Sequence, residues 1–172
     1  MTQHFEQRTE ESFDGWLTPE WVLDLVREFG PIGLDPCSEE CNPAKAASFF
    51  SIGGLVHSWD EFPVPGSATS VYVNPPYGRA LGKWAGKVVA ENLLSPGRNM
   101  FVLSPARTET DWFGHLFDTA NAVAFFRKRI KFHHPSQPGK QSPKFPNVMF
   151  YFGGDTHRFK HVFDEAARVV LL

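Results

Sequence analysis

The sequence predicts an α/β fold with a doubly wound, mostly parallel sheet, and three observations lead there. Short apolar runs rich in β-branched and aromatic residues alternate with longer segments of helical spacing. Three of these runs stop abruptly in polar or proline-containing turns: Leu-Asp-Pro-Cys-Ser at 34–38, Asn-Pro-Pro-Tyr-Gly at 74–78 and Leu-Ser-Pro-Ala-Arg at 103–107. The chain has 172 residues, of which 42% are hydrophobic and 21% charged, enough to bury one core and far from the composition of disorder. In open α/β sheets a ligand lies outside the carboxyl ends of the strands, so the three turns are expected to converge on one site.

The first 15 residues are polar, acidic and without periodicity, as expected of a flexible N-terminus, and residues 16–172 are expected to form a single domain. Thr18 reads as a helix N-cap with Pro19 in the first turn, and Val22, Leu25, Val26 and Phe29 keep helical spacing until Gly30-Pro31. Ile32 to Leu34 reads as a short buried strand. Residues 43–50 fit a short helix and residues 55–59 a short strand. Ser70 to Val73 is β-branched and aromatic, and the two prolines after Asn74 cannot continue a ladder. A helix from Ala80 to Leu94 follows, then a strand over Asn99 to Leu103, a helix over Asp111 to Ala120 and a strand over Ala122 to Phe126. Asn147 to Phe152 alternates as a last strand, and Phe159 to Val170 is expected to close the chain as a helix. No internal repeat is visible.

Two cysteines, Cys37 and Cys41, build neither a disulfide framework nor a paired Cys/His zinc site. With no signal-like N-terminus and no apolar run of the roughly 18 residues that span a bilayer, a cytoplasmic location is expected. The net charge of −2 is unevenly distributed: residues 1–60 carry 11 acids and 3 Lys+Arg, residues 61–172 carry 8 acids and 14 Lys+Arg. A loop at 127–144 contains Arg127, Lys128, Arg129, Lys131, Lys140 and Lys144 without an acid. Such a run is either a solvated surface or a phosphate-binding one.

Asn-Pro-Pro-Tyr at 74–77 is the most informative feature. Proline fixes φ and donates no N–H, so the Pro75 carbonyl and the Asn74 side-chain oxygen can offer two acceptors to one planar NH₂ group. Drawing both protons of a conjugated amine toward acceptors localises its lone pair and stabilises the charge that develops as it attacks. Tyr77 would stack on the ring bearing the amine, with Pro76 stiffening the turn. The bland alternative is a strand-terminating turn with a packed tyrosine.

Several segments together resemble a known family: Trp-Leu-Thr-Pro at 16–19, Leu-Asp-Pro-Cys-Ser at 34–38, Trp59, Asn-Pro-Pro-Tyr-Gly at 74–78, residues 103–113 and Arg-Ile-Lys-Phe at 129–132. In this order and spacing the chain is similar to the phage-type DNA N6-adenine methyltransferases, which use S-adenosylmethionine. The resemblance implies a Rossmann-like methyltransferase fold, Asn74, Pro75, Pro76 and Tyr77 as the catalytic turn, and Trp16, Thr18, Pro19, Asp35, Pro36, Cys37 and Ser38 around the cofactor. Asp35 is a sensible partner for the cofactor's α-amino group, with the N-cap of a following helix as its alternative. Cys37 reads as a packing residue rather than a nucleophile. Similar enzymes place an acid or amide before the Leu of the next segment to hold the adenosine, whereas this chain has Ile52-Gly53-Gly54. Asp60 and Asn42 are the available substitutes.

A direct displacement needs no metal. A duplex adenine must leave the stack to reach such a turn, which makes DNA with a flipped base the expected partner. Arg107, Arg127, Lys128, Arg129, Lys131, Lys140 and Lys144 are the candidate phosphate contacts, and Gln137 and Gln141 are available to adenine edges. For Arg107 the alternative is an ion pair with Glu109 or Asp111; Trp112-Phe113 read as core. Competing functions are transfer to cytosine N4, to an RNA adenine or to a glutamine amide, and a non-catalytic nucleic-acid-binding relic. So short a chain leaves little for a separate reader of sequence.

Overall fold

The computed structural model describes residues 15–60, 62, 70–134 and 145–172. Its elements in chain order are α1 (Glu20–Arg27), β1 (Ile32–Asp35), β2 (Ser48–Phe49), β3 (Ser70–Val73), α2 (Leu81–Leu94), β4 (Met100–Pro105), α3 (Asp111–Thr119), β5 (Ala122–Phe126), β6 (Asn147–Phe152), α4 (Thr156–Phe163) and β7 (Ala167–Leu171). The strands form one sheet of order β2-β1-β3-β4-β6-β5-β7. Pairing is parallel from β2 through β4 and antiparallel from β4 through β7. The mostly parallel sheet expected from the sequence is therefore parallel on one side only, because β6 and β7 run against the rest.

Strand alternation sorts the core onto two faces. Tyr72, Phe101, Leu103, Met149 and Tyr151 pack with Val22, Leu23 and Val26 of α1 and Phe159 and Phe163 of α4. Val71, Val73, Met100, Val102, Val148 and Phe150 pack with Trp84, Ala85 and Val88 of α2 and Phe113 and Leu116 of α3. Burying both faces explains why β3, β4 and β6 read as continuous apolar runs. Phe113 lies in the core as expected.

In β1 the register slips: Ile32 pairs with Ser70 but Leu34 with Val71. One extra residue at Gly33 moves Leu34 to the α2 face. The next residue, Asp35, comes level with Tyr72 on the α1 face.

Four local expectations are corrected. Residues 43–50 form turns and β2 instead of a helix, because the Asn42 side chain donates to Ala46 O and accepts from Ala46 N, both at 2.9 Å. These bonds replace the helical ones, and Asn42 and Lys45 stand at positive φ. Residues 55–59 make turns in place of a strand: Val56 and His57 both donate to Gly53 O. The last helix starts at Thr156, where Asp155 accepts from Arg158 N at 3.0 Å. It stops at Phe163, and residues 167–171 pair with β5 as a strand, tertiary pairing suiting Val169 and Val170 better than helix. Lastly, α1 begins at Glu20 with Pro19 at the cap position and no side-chain cap bond, so Thr18 is not an N-cap. Among the described residues no helix is long and apolar enough to cross a membrane.

Candidate active site

The turns after β1, β3 and β4 meet at the carboxyl edge of the parallel strands. A narrow cleft is lined by Thr18, Leu23, Asp35, Cys37, Ser38, Pro43, Ala44, Tyr72 and Asn74, which brings the first two turns together. Asn147, at the start of β6, ties in the third. Its Nδ2 donates to Tyr77 Oη at 3.2 Å and to the Ser104 carbonyl at 3.3 Å.

Asn74 is buried at the end of β3. Its Nδ2 donates to Thr18 Oγ1 at 3.1 Å, and Thr18 Oγ1 lies 2.8 Å from Tyr72 Oη. The hydroxyl freed from capping α1 thus serves the site. Among the described residues Asn74 Oδ1 is buried without a hydrogen-bond partner, and so is Asn147 Oδ1. An unmet buried acceptor costs roughly 1–3 kcal/mol, which a donating ligand at this place would recover.

Asp35 is buried, with Oδ1 accepting from Cys37 N at 3.1 Å. Burial pushes its carboxyl up to about 7, against the Cys37 amide and Ser38 hydroxyl, which favour the carboxylate. No helix follows Asp35, so the N-cap alternative falls away. Burial, together with the Asp35 charge, also raises the Cys37 thiol well above its ordinary value, although the Asn74 backbone N–H is bonded to it. Cys37 is a neutral packing thiol. Ser38 is buried, its hydroxyl donating to Glu39 O and its N–H to Phe50 O. Pro36 is buried as well.

Tyr77 is half-buried between Phe132 and Phe145, at centroid distances of 6.2 and 5.4 Å. Desolvation raises its phenol above the ordinary range, with the Asn147 bond opposing, so it stays a neutral hydroxyl. Pro75 is buried and Pro76 half-buried. Trp16 sits edge-on to His134 at 5.5 Å, outside the residues lining the cleft, and Pro19 is half-buried at the start of α1.

Gly53 and Gly54 have a structural explanation. Gly53 takes φ +94°, and a Cβ on Gly54 would overlap the Pro36 carbonyl oxygen. At Gly54 the loop approaches the Asp35 turn too closely for any side chain. Trp59 fixes this loop by donating Nε1 to Gly54 O at 2.8 Å and its N–H to the buried Glu91 at 3.1 Å. The suggested substitutes are occupied elsewhere: Asp60 accepts from Ser95, and Asn42 holds Ala46. Neither lines the cleft.

Of the basic residues, Arg107, Arg127, Lys128, Arg129 and Lys131 are exposed. Arg107 makes no ion pair with Glu109 or Asp111 among the described residues. Buried Ile130 and Phe132 alternate with Arg129 and Lys131, anchoring the segment and turning the cations outward. The segment ends in an antiparallel bridge between Leu17 and His133, next to Thr18. Arg127 is different: its Nη2 donates to Asp164 O at 3.2 Å, capping α4. Lys140, Lys144, Gln137 and Gln141 lie outside the described residues.

Sequence reasoning missed Asn147 and Tyr72. The second carried a signal, since period two places it on the face of Asn74. Asn147 looked like the first residue of an apolar strand.

A model of the family DNA N-6-adenine-methyltransferase (Dam) matches residues 6–158. A search of curated proteins found no match. With the match spanning most of the chain and including all three turns, the protein belongs to the DNA N-6-adenine-methyltransferase family, whose activity is N6 methylation of adenine in DNA.

Proposed function

We propose that the protein methylates adenine N6 in double-stranded DNA by direct transfer from S-adenosylmethionine to a flipped-out base, on a Rossmann-like methyltransferase fold. The observation that carries this reading is the Asn74 amide: Nδ2 is committed to Thr18 while Oδ1 stays buried and unmet. An acceptor fixed at the end of β3, beside a proline that offers only a carbonyl, suits a planar amine approaching from outside the sheet.

The residues of the cleft also fit the cofactor. The cleft between Thr18, Asp35, Ser38 and Asn74 lies at the carboxyl ends of β1 and β3, where such sheets take their ligand, and its buried carboxylate suits the amino-acid end. There the buried Asp35 carboxylate is in no ion pair among the described residues, and an α-ammonium would supply a cation. When bound, S-adenosylmethionine supplies an electrophilic methyl group on a sulfonium.

The chain's own part is orientation. Asn74 Oδ1 and the Pro75 carbonyl accept the two N6 protons, turning the nitrogen lone pair toward the cleft, and they stabilise the charge that grows on nitrogen as the N–C bond forms. Tyr77, held by Asn147, Phe132 and Phe145, provides a flat face for the unstacked base, whose extrusion costs a few kcal/mol. Arg107, Lys128, Arg129 and Lys131 line the same edge and suit flanking phosphates.

Incubation of unmodified DNA with labelled cofactor, followed by nucleoside mass spectrometry, tests this reading. Label in N6-methyladenine supports it. Label in N4-methylcytosine, in RNA alone or in protein would replace it with one of those substrates, and absence of cofactor binding would point to a non-catalytic relic.

A further inference from the structure

We propose that Tyr72 and Thr18 form a positioning relay that sets which way round the Asn74 amide stands, and so whether the site presents an acceptor or a donor. The proposal rests on the reading of Asn74 given above and extends it to two residues that need not touch the amine. Alternation along β3 puts Tyr72 and Asn74 on one face, two residues apart, and Thr18 closes the gap between them. Thr18 Oγ1 lies 2.8 Å from Tyr72 Oη and 3.1 Å from Asn74 Nδ2. All three are buried.

An asparagine amide with one end bonded and the other unmet is stable in that sense only if its partner accepts. A threonine hydroxyl both donates and accepts. Facing Asn74 alone, it would donate to Oδ1 as readily as accept from Nδ2, and the first choice would remove an unmet buried acceptor. The Tyr72 hydroxyl changes this. Either hydroxyl can donate in this pair, and in both senses the Tyr72 hydroxyl competes with Asn74 for Thr18: the Thr18 proton goes to the Tyr72 oxygen, or the Thr18 oxygen is already an acceptor. In the first sense the Thr18 oxygen is left to accept from Nδ2, and Oδ1 faces outward without a partner among the described residues. Thr18 is free for this because α1 is not capped by it.

Tyr72→Phe removes one hydroxyl from a packed core and keeps the ring, so the fold should persist. Without that oxygen the Thr18 proton turns to Asn74, the amide reverses, and an NH₂ faces the incoming amine. The expected result is a fall in kcat of at least about tenfold, approaching the 10²–10³ seen when a preorganised polar group is removed outright. The Asn74 side-chain NH₂ signals in a ¹⁵N spectrum, assigned by their loss in Asn74→Ala, should shift in Tyr72→Phe. Thr18→Val should lower kcat in the same way, and Thr18→Ser should restore most of the loss.

Wild-type kcat in Tyr72→Phe, or Asn74 amide signals unchanged by that substitution, would overturn the relay. If the wild-type protein fails to methylate DNA at all, the reading of the site falls, and the amide signals alone still decide for or against the relay.

Discussion

Asn147 Nδ2 donates to Tyr77 Oη at 3.2 Å and to the Ser104 carbonyl at 3.3 Å. Because a carbonyl only accepts, the Asn147 amide has one possible sense. The bond to Tyr77 therefore reaches across from the first residue of the antiparallel strand β6 to the turn that ends β3, and fixes the ring. Asn147→Ala and Tyr77→Phe both remove that tether while leaving an aromatic face. Each should lower kcat severalfold, in line with roughly 0.5–1.5 kcal/mol for one hydrogen bond. The double variant should lose no more than the larger single loss. Steady-state kinetics on a DNA substrate measures all three.

Asp35 gives a pH dependence with a definite sign. Its folded-state carboxyl is raised to about 7, above the roughly 3.9 of an unfolded chain. The native state binds the proton more tightly, so this group's contribution to the stability of the free protein is full below about pH 4 and is lost as pH rises toward 7. Cofactor binding has the opposite slope, because an α-ammonium requires the carboxylate. Affinity should rise about tenfold per pH unit below 7 and fall again above about 8, where the α-ammonium loses its own proton. Calorimetric titration with S-adenosylmethionine from pH 5.5 to 8.5 measures the slope, and Asp35→Asn should flatten it.

Gly54 leaves no room for a side chain beside the Pro36 carbonyl. Gly54→Ala must push the Trp59 loop away from the Asp35 turn, at about 1–3 kcal/mol for overpacking, or roughly 2–4 °C in Tm per kcal/mol. Differential scanning calorimetry measures the loss. Cofactor affinity should fall with it, since the displaced turn carries Asp35, Cys37 and Ser38.

The cations at 129 and 131 can be told apart from Arg127, which is exposed as well but donates to Asp164 O. Arg129→Gln and Lys131→Gln should each weaken DNA binding evenly across sequences and reduce the slope of log K against log salt by about 0.9. Arg127→Gln should change that slope less and lower Tm more, because its guanidinium caps α4. Fluorescence anisotropy over a salt series separates the two behaviours.

Much of this arrangement was legible from residue order. The turns at 34–38, 74–78 and 103–107 interrupt apolar runs, and a two-faced core makes such interruptions stand out. Where reading failed, a local signal lost to pairing or to a side chain. Val169 and Val170 kept helical spacing but were taken by β5, and Pro43 to Phe50 lost its helix to the two bonds from Asn42. Thr18 has the sequence of an N-cap, and only the placement of Tyr72 and Asn74 reveals what its hydroxyl does instead. Asn147 gave no sign, because its role depends on β6 running antiparallel and so starting at the edge where β4 ends. The Gly53-Gly54 departure is explained only by the nearby Pro36 carbonyl.

The most direct test of the whole account is methyl transfer by Asn74→Ala. Labelled S-adenosylmethionine and unmodified DNA are incubated with wild-type and variant protein, and N6-methyladenine is counted alongside cofactor affinity. Wild-type protein should label adenine N6, and the variant should still bind cofactor while transferring at least about 10²-fold more slowly. Equal labelling by the two proteins would contradict the assignment of Asn74 as the acceptor that orients the amine.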